Sequence, residues 1–300
     1  MTVSRRQFVT GTAVATLGLA TRASFANPFG LPLGIQLYSV RKEMAENFDG
    51  ALAGVAEAGF TEVEAAALPK KPAKEIRASL DKAGLRCVSA HHPFRDLHAN
   101  FEETVAYDKE LGCQFLICSS PSFRTPPPAG SHPAMALDDW HYMAEQFNVM
   151  GEKTLASGVH FGYHNHTPEF AATEGKTPLL ELIRLTDAKN VTFELDCGWM
   201  IAAGLNPVDY FKNYPGRYRM IHVKDFLPGA KPTTSLDPEN RPSGTELGRG
   251  HIDYKPIFAA AAAAGVEYYF SEQEPPIVGM TALDAAKINY DYMQAILRPS

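Results

Sequence analysis

What this chain of 300 residues lacks narrows its function first. No stretch approaches the ~20 consecutive apolar residues of a membrane-spanning helix. Cysteine is scarce: Cys87, Cys113, Cys118 and Cys197 lie in or beside apolar runs without CxxC spacing. That spacing argues against a thiolate zinc site and for buried free thiols. Basic residues number 28 against 34 acidic ones, a net charge of -6. The acidic balance argues against nucleic acid or anionic lipid as a partner. No basic cluster offers a cradle for a phosphorylated substrate. No GxGxxG follows the first apolar run, LGIQLYSV, which disfavours an open dinucleotide-binding sheet.

Residues 1–26 read MTVSRRQFVTGTAVATLGLATRASFA, a paired arginine, a short mild apolar stretch and small residues at a cleavage point. This order resembles a twin-arginine (Tat) signal peptide, which implies export and a periplasmic location. Its removal would take away Arg5, Arg6 and Arg22 and no acid, leaving 25 basic against 34 acidic residues and a net charge of -9. Residues 27–300 would form the working protein.

Eight strand-length runs alternate with helical patterns: 33–40, 61–68, 86–93, 113–120, 159–166, 191–199, 217–226 and 266–274. The helical stretches FDGALAGVAEAGF, AKEIRASLDKAGL and FEETVAYDKELGC place Gly59, Gly84 and Gly112 where helix C-caps fall. Strands alternating with helices need crossover connections, hence a parallel sheet. The count and length predict an α/β fold, a single (β/α)8 TIM barrel over 27–300 with no linker. Two long loops, 121–136 and 227–250, both follow strands, on the face where such barrels build catalytic sites.

Polar residues gather at the ends of strands. Strand 1 carries Gln36 and Tyr38, strand 3 His91 and His92, and strand 5 His164 and His166 with Glu169 just beyond. Strand 6 carries Glu194 and Asp196, then Trp199; strand 7 carries His222 and Lys224, and strand 8 Glu272 and Glu274. Four adjacent strands ending in imidazoles and carboxylates converge above a barrel axis. That mixture suits one divalent ion such as Mn²⁺, Mg²⁺, Co²⁺ or Zn²⁺. Period-two alternation narrows each strand to a pair of candidates without choosing between them.

The set YHNHTPEF, FELDCGW, IHVKDF, LGRGHIDYKPIF and YYFSEQE resembles the xylose isomerase-like TIM barrel superfamily, and within it the sugar phosphate isomerase/epimerase group. The resemblance covers roughly residues 33–298. It implies a metal held by Glu, Asp, His and Glu from strands 5 to 8, and Asp196, His222 and Glu272 match the last three. His164 stands where relatives place the first glutamate. Either Glu169 restores the carboxylate or His164 binds the metal itself; the assigned ligands are Glu169, Asp196, His222 and Glu272, with His164 as ligand or base. His166 is assigned as proton shuttle and Lys224 as the cation facing a developing oxyanion. Tyr38, His91 and Trp199 are expected to wall the substrate, and Arg249 to orient one of its oxygens.

The activity so implied is that of a divalent-metal-dependent sugar isomerase or epimerase. It would remove an α-proton beside a carbonyl through a metal-stabilised enediolate. The exported address and the absent phosphate cradle favour an unphosphorylated sugar or keto-sugar. The alternatives are β-elimination at the same site, as in a 3-keto-glycoside lyase or dehydratase, and a non-catalytic periplasmic carbohydrate-binding barrel. The expected partner is a small sugar, with no nucleic acid and no membrane span; a homo-oligomer is compatible.

Overall fold

The computed structural model describes residues 32–131 and 133–297. The expected signal segment, residues 1–26, lies outside the described residues. Eight strands, β1 (Leu33–Gln36), β2 (Glu62–Ala65), β3 (Arg86–Pro93), β4 (Phe115–Ser120), β5 (His160–His164), β6 (Val191–Asp196), β7 (Tyr218–Val223) and β8 (Tyr268–Ser271), pair in parallel in chain order. β8 pairs with β1, and the sheet closes into a barrel with helices outside.

The three expected helices are present, over 48–58, 73–83 and 94–111, the last beginning seven residues before the predicted stretch. Each ends on a left-handed glycine, Gly59, Gly84 or Gly112, with φ of 116°, 75° and 100°. Only glycine adopts that conformation without a Cβ clash, so these positions stop the helices. The inner stripes of these helices, such as Leu52 with Val55 and Ile76 with Leu80, pack on the outer faces of the strands. Each such side chain removed from water contributes about 1.5–3 kcal/mol.

Most strands end earlier than the apolar runs predict. The run 33–40 pairs only to Gln36, whose side chain accepts from Tyr38 N at 3.0 Å and opens a 3-10 turn. The run 191–199 stops at Asp196, whose Oδ1 accepts from Trp199 N at 2.8 Å and caps helix Cys197–Ala202. Trp199 therefore sits on a helix, not at a strand end. The run 217–226 leaves the barrel after Val223, and Asp225–Phe226 pairs antiparallel with Gly244–Thr245. In each case a polar side chain satisfies backbone N–H groups better than continued pairing does.

The bore is layered. Its floor is apolar, built by Val88, Phe115, Ile117, Met220 and Phe270. The floor has room for Phe270 and Ile117 because a Cβ on Gly34 would lie 2.4 Å from the Phe270 ring and one on Gly162 2.6 Å from Ile117. Two residues up, the same strand faces become ionisable: Met220 is followed by His222 and Lys224, and Phe270 by Glu272 and Glu274. All four cysteines are buried free thiols, with the sulfurs of Cys87 and Cys113 3.5 Å apart. Among the described residues no helix is long and apolar enough to cross a membrane.

Candidate metal centre and active site

Directly above the apolar floor lies a buried ring of two carboxylates and two imidazoles: Glu64 of β2, His91 of β3, Glu194 of β6 and His222 of β7. Glu64 Oε1 lies 2.7 Å from His222 Nε2 and 2.9 Å from His91 Nε2, and accepts from the Gln36 amide at 2.7 Å. Its other oxygen accepts from Ser89 Oγ. His91 Nε2 is also 2.7 Å from Glu194. Burial pulls the His91 imidazole down, but the charges of Glu64 and Glu194 outweigh it and raise its pKa to about 9. Burial opposes ionisation of Glu64 too, yet the neighbouring imidazoles hold its carboxyl well below the usual range.

One layer higher, four donors converge: His164 of β5, Asp196 at the end of β6, His222 of β7 and Glu272 just past β8. His164 Nε2 lies 3.1 Å from His222 Nδ1 and 3.3 Å from Asp196 Oδ2. His222 Nδ1 lies 2.8 Å from Glu272 Oε2 and 3.6 Å from Asp196 Oδ2. These separations bracket the ~3.3 Å edge of a tetrahedron with ~2.0 Å ligand bonds. Asp196 divides its labour, with Oδ1 capping the helix and Oδ2 turned to the group. His222 bridges both layers: Nε2 points down to Glu64 and Nδ1 up to the upper donors. A carboxylate on one imidazole nitrogen selects the tautomer whose other nitrogen carries a free lone pair, as metal-binding histidines require.

The electrostatics are those of a cation site. Burial penalises charge at His222, yet Glu194, Glu272 and Glu64 raise its pKa well above the ordinary value. Lys224 likewise keeps its proton against burial because its ammonium lies 3.1 Å from Asp196 Oδ2, 2.9 Å from Glu272 Oε2 and 2.7 Å from Glu274 Oε1. Two nitrogen and two oxygen donors in such an anionic pocket fit one divalent ion, which His164, Asp196, His222 and Glu272 could hold.

Glu169, one of the assigned ligands, is not brought into this group. The 3-10 turn Pro168–Phe170 folds it back, and it accepts from Tyr163 Oη at 2.5 Å and from His166 N at 3.1 Å. From β5 it is His164 that stands in the group. Arg249 is not brought to the site either: it pairs with Glu246 at 3.1 Å, half exposed. From the same loop Arg241 reaches the mouth instead, 3.4 Å from Glu274 and with its guanidinium 5.5 Å from the centre of the Trp199 ring. Trp199 is buried, with the Lys224 ammonium 4.8 Å from its ring centre. His91 lies in the lower ring, with its edge reaching the mouth.

The loop 227–250 is held by Asp225. Its Oδ1 accepts from the N–H groups of Phe226, His251 and Ile252, and its Oδ2 from those of Gly248 and Gly250, all at 2.9–3.1 Å. A Cβ on Gly250 would lie 2.1 Å from that carboxylate, so the clamp needs glycine there. Lys224 and Asp225 thus face opposite tasks, the site and the loop.

Above the donors opens a cavity of about 380 Å³ lined by Gln36, Tyr38, His91, His164, His166 and Arg241, among others. His166 is half-buried and among the described residues its ring makes no hydrogen bond to protein, whereas His164 and His222 are engaged. Burial lowers its pKa, with the Glu169 charge opposing and Lys224 adding to the fall, which keeps a neutral imidazole at pH 7. Glu64 and Arg241 were missed in sequence reasoning. The signal for Glu64 was the pair of charges, Glu62 and Glu64, on one face of the strand-length run TEVEAAAL; Arg241, in a long loop, had none.

The chain resembles known proteins. The chain is 24% identical over 252 residues to an inosose dehydratase of Clostridium botulinum, covering 77% of this chain and 84% of the relative. A sugar phosphate isomerase/epimerase structure from Parabacteroides distasonis matches with a TM-score of 0.71 and 25% identity, covering 94% of this chain and 98% of that one. The IOLI protein, solved with a bound zinc atom, matches in fold with a TM-score of 0.64, 13% identity, and coverage of 89% and 98%. The family described as xylose isomerase-like TIM barrel matches residues 52–277. By its closed barrel and this match, the chain belongs to the xylose isomerase-like TIM barrel family.

Proposed function

We propose that this protein is a divalent-metal-dependent enzyme acting on an unphosphorylated sugar or keto-sugar. It removes the proton beside a carbonyl and ends in β-elimination of an oxygen substituent. The observation that carries the reading is the convergence of His164, Asp196, His222 and Glu272 beneath a mouth where His166 stands free. A bound ion of the Zn²⁺, Mn²⁺, Co²⁺ or Mg²⁺ class would supply Lewis acidity to the adjacent oxygens of the substrate. Lys224, pinned by three carboxylates, adds fixed positive charge where anionic oxygen develops. Tyr38 and Gln36 border the mouth as walls.

The proton economy favours elimination over epimerisation. Moving a proton between two faces of a carbon needs an acid–base group on each side. Here the strand-5 carboxylate is replaced by His164, and Glu272 is committed to His222 and Lys224. His166 is the free base. In an elimination, the C–H electron pair forms the new C=C bond and the C–O bond to the β-substituent breaks. The leaving oxygen keeps that bond's pair and accepts the proton His166 removed. No oxidant or reductant is required. The likeness to the inosose dehydratase accords with this. Isomerisation or epimerisation of the same class of substrate is the second outcome of the same first step. Read as an export signal, the paired-arginine segment supports a periplasmic setting for this reaction as part of the proposal.

The test is ¹H NMR in D₂O of keto-sugars and 3-keto-glycosides with protein stripped and reloaded with Mn²⁺, Co²⁺ or Zn²⁺. Elimination gives an unsaturated ketone that absorbs in the ultraviolet. Deuterium exchange or rearrangement without elimination would assign the isomerase outcome. Neither exchange nor product in any metal form would sink the catalytic reading and favour a binding protein.

A further inference from the structure

A second cavity of about 660 Å³ adjoins the mouth and shares His166 and Ser120 with it. Its lining is of another kind: Pro121, Phe123, Met135, Trp140, Pro168 and Leu236 supply apolar surface. It is built where the two long loops meet, residues 121–135 after β4 and 234–236 after β7, and its back is helix Leu137–Ala156 through the buried Trp140. The mouth cavity, by contrast, is lined by imidazoles, carboxylates and a guanidinium suited to sugar oxygens. A molecule filling both would be polar at one end and apolar at the other, with His166 at the junction.

We infer that this cavity is a subsite for the apolar aglycone of a glycoside. The inference rests on the elimination reading and deepens it: the departing substituent is an aryl or similarly apolar alcohol rather than water. Three features support it. The cavity borders the mouth at His166, which lines both and whose ring, among the described residues, makes no hydrogen bond to protein. Its rings, thioether and prolines give it a mainly apolar wall that suits a flat apolar group, with Ser120, Glu169, Thr173, Thr234 and Ser235 as its polar members. A free monosaccharide, or a substrate whose β-hydroxyl leaves as water, would not fill that volume. His166 lining both spaces is placed to protonate the oxygen that joins sugar to aglycone.

The experiment uses the full metal-loaded chain and two ligands that do not turn over, 4-nitrophenyl glucoside and methyl glucoside, by titration calorimetry. Burial of the ring predicts at least about tenfold tighter binding of the aryl ligand. In Phe123→Ala and Leu236→Asp that advantage should shrink towards unity while the affinity for methyl glucoside stays. Both positions are partly exposed on loops, so folding is expected to survive, and circular dichroism checks it. Equal affinities in the native chain would overturn the subsite while leaving the sugar reading intact. An aryl advantage untouched by either substitution would place the ring elsewhere and overturn it too. No binding of either ligand would overturn the subsite, while the keto-sugar reading stands or falls separately on the deuterium-exchange experiment above.

Discussion

The carboxylate of Glu64 on β2 lies 2.7 Å from Nε2 of His222 on β7, across the bore of the barrel. It fixes which imidazole nitrogen is turned up to the converging donors. Glu64→Gln keeps the shape and removes the charge. It should weaken divalent-ion affinity by about 10- to 100-fold, the usual cost of losing such a partner. Competition with a chromophoric chelator measures this; an unchanged dissociation constant would show that Glu64 does not tune His222.

His222→Ala and His164→Ala should each lose the ion yet leave a folded barrel, read by elemental analysis and circular dichroism. Glu169→Gln should keep it, because that carboxylate is engaged by Tyr163 and the His166 backbone. Metal loss in Glu169→Gln with retention in His164→Ala would reverse the strand-5 assignment.

Asp196 has two separable tasks. Asp196→Asn should lose metal while preserving the cap on Trp199 N. Asp196→Ala should lose metal and in addition about 1 kcal/mol of stability from the missing cap. Denaturant titration of both stripped variants compares the two.

His91 sets a pH dependence. Its folded pKa, about 9, lies above the ordinary value of 6.5. Its protonated form therefore stabilises the fold fully below pH 6.5, and the contribution fades as pH rises through about 9. The amount is up to about 3 kcal/mol. Urea midpoints of the stripped protein between pH 6 and 10 should fall with pH, and His91→Gln should flatten that limb.

Asp225 accepts five backbone N–H groups, and Asn at this place offers one acceptor oxygen and one clashing amide donor. Asp225→Asn should cost about 2–4 kcal/mol and expose the 227–250 loop to protease. Limited proteolysis with mapping of the cut site reads this directly.

The barrel itself was legible in the chain because alternation of eight apolar runs with capped helical stretches is a local pattern. Gly59, Gly84 and Gly112 stop helices in the structure where the sequence places them. Strand ends were less legible. Asp196 and Gln36 turn the chain by accepting backbone N–H groups, and a short polar side chain can equally well stay in a strand.

At the site, the sequence alone determined which residue types crowd the carboxyl ends of β5 to β8, since period two fixes the face a side chain takes. It left open which member of each pair points to a common centre. Tertiary structure decided that, because convergence depends on the stagger of strands around the bore and on turns such as Pro168–Phe170. Glu64 and Glu194 join the site from across the barrel, and Arg241 replaces Arg249 because Asp225 clamps the loop backbone. Distances between residues 158 positions apart, as for Glu64 and His222, exist only once the barrel has closed.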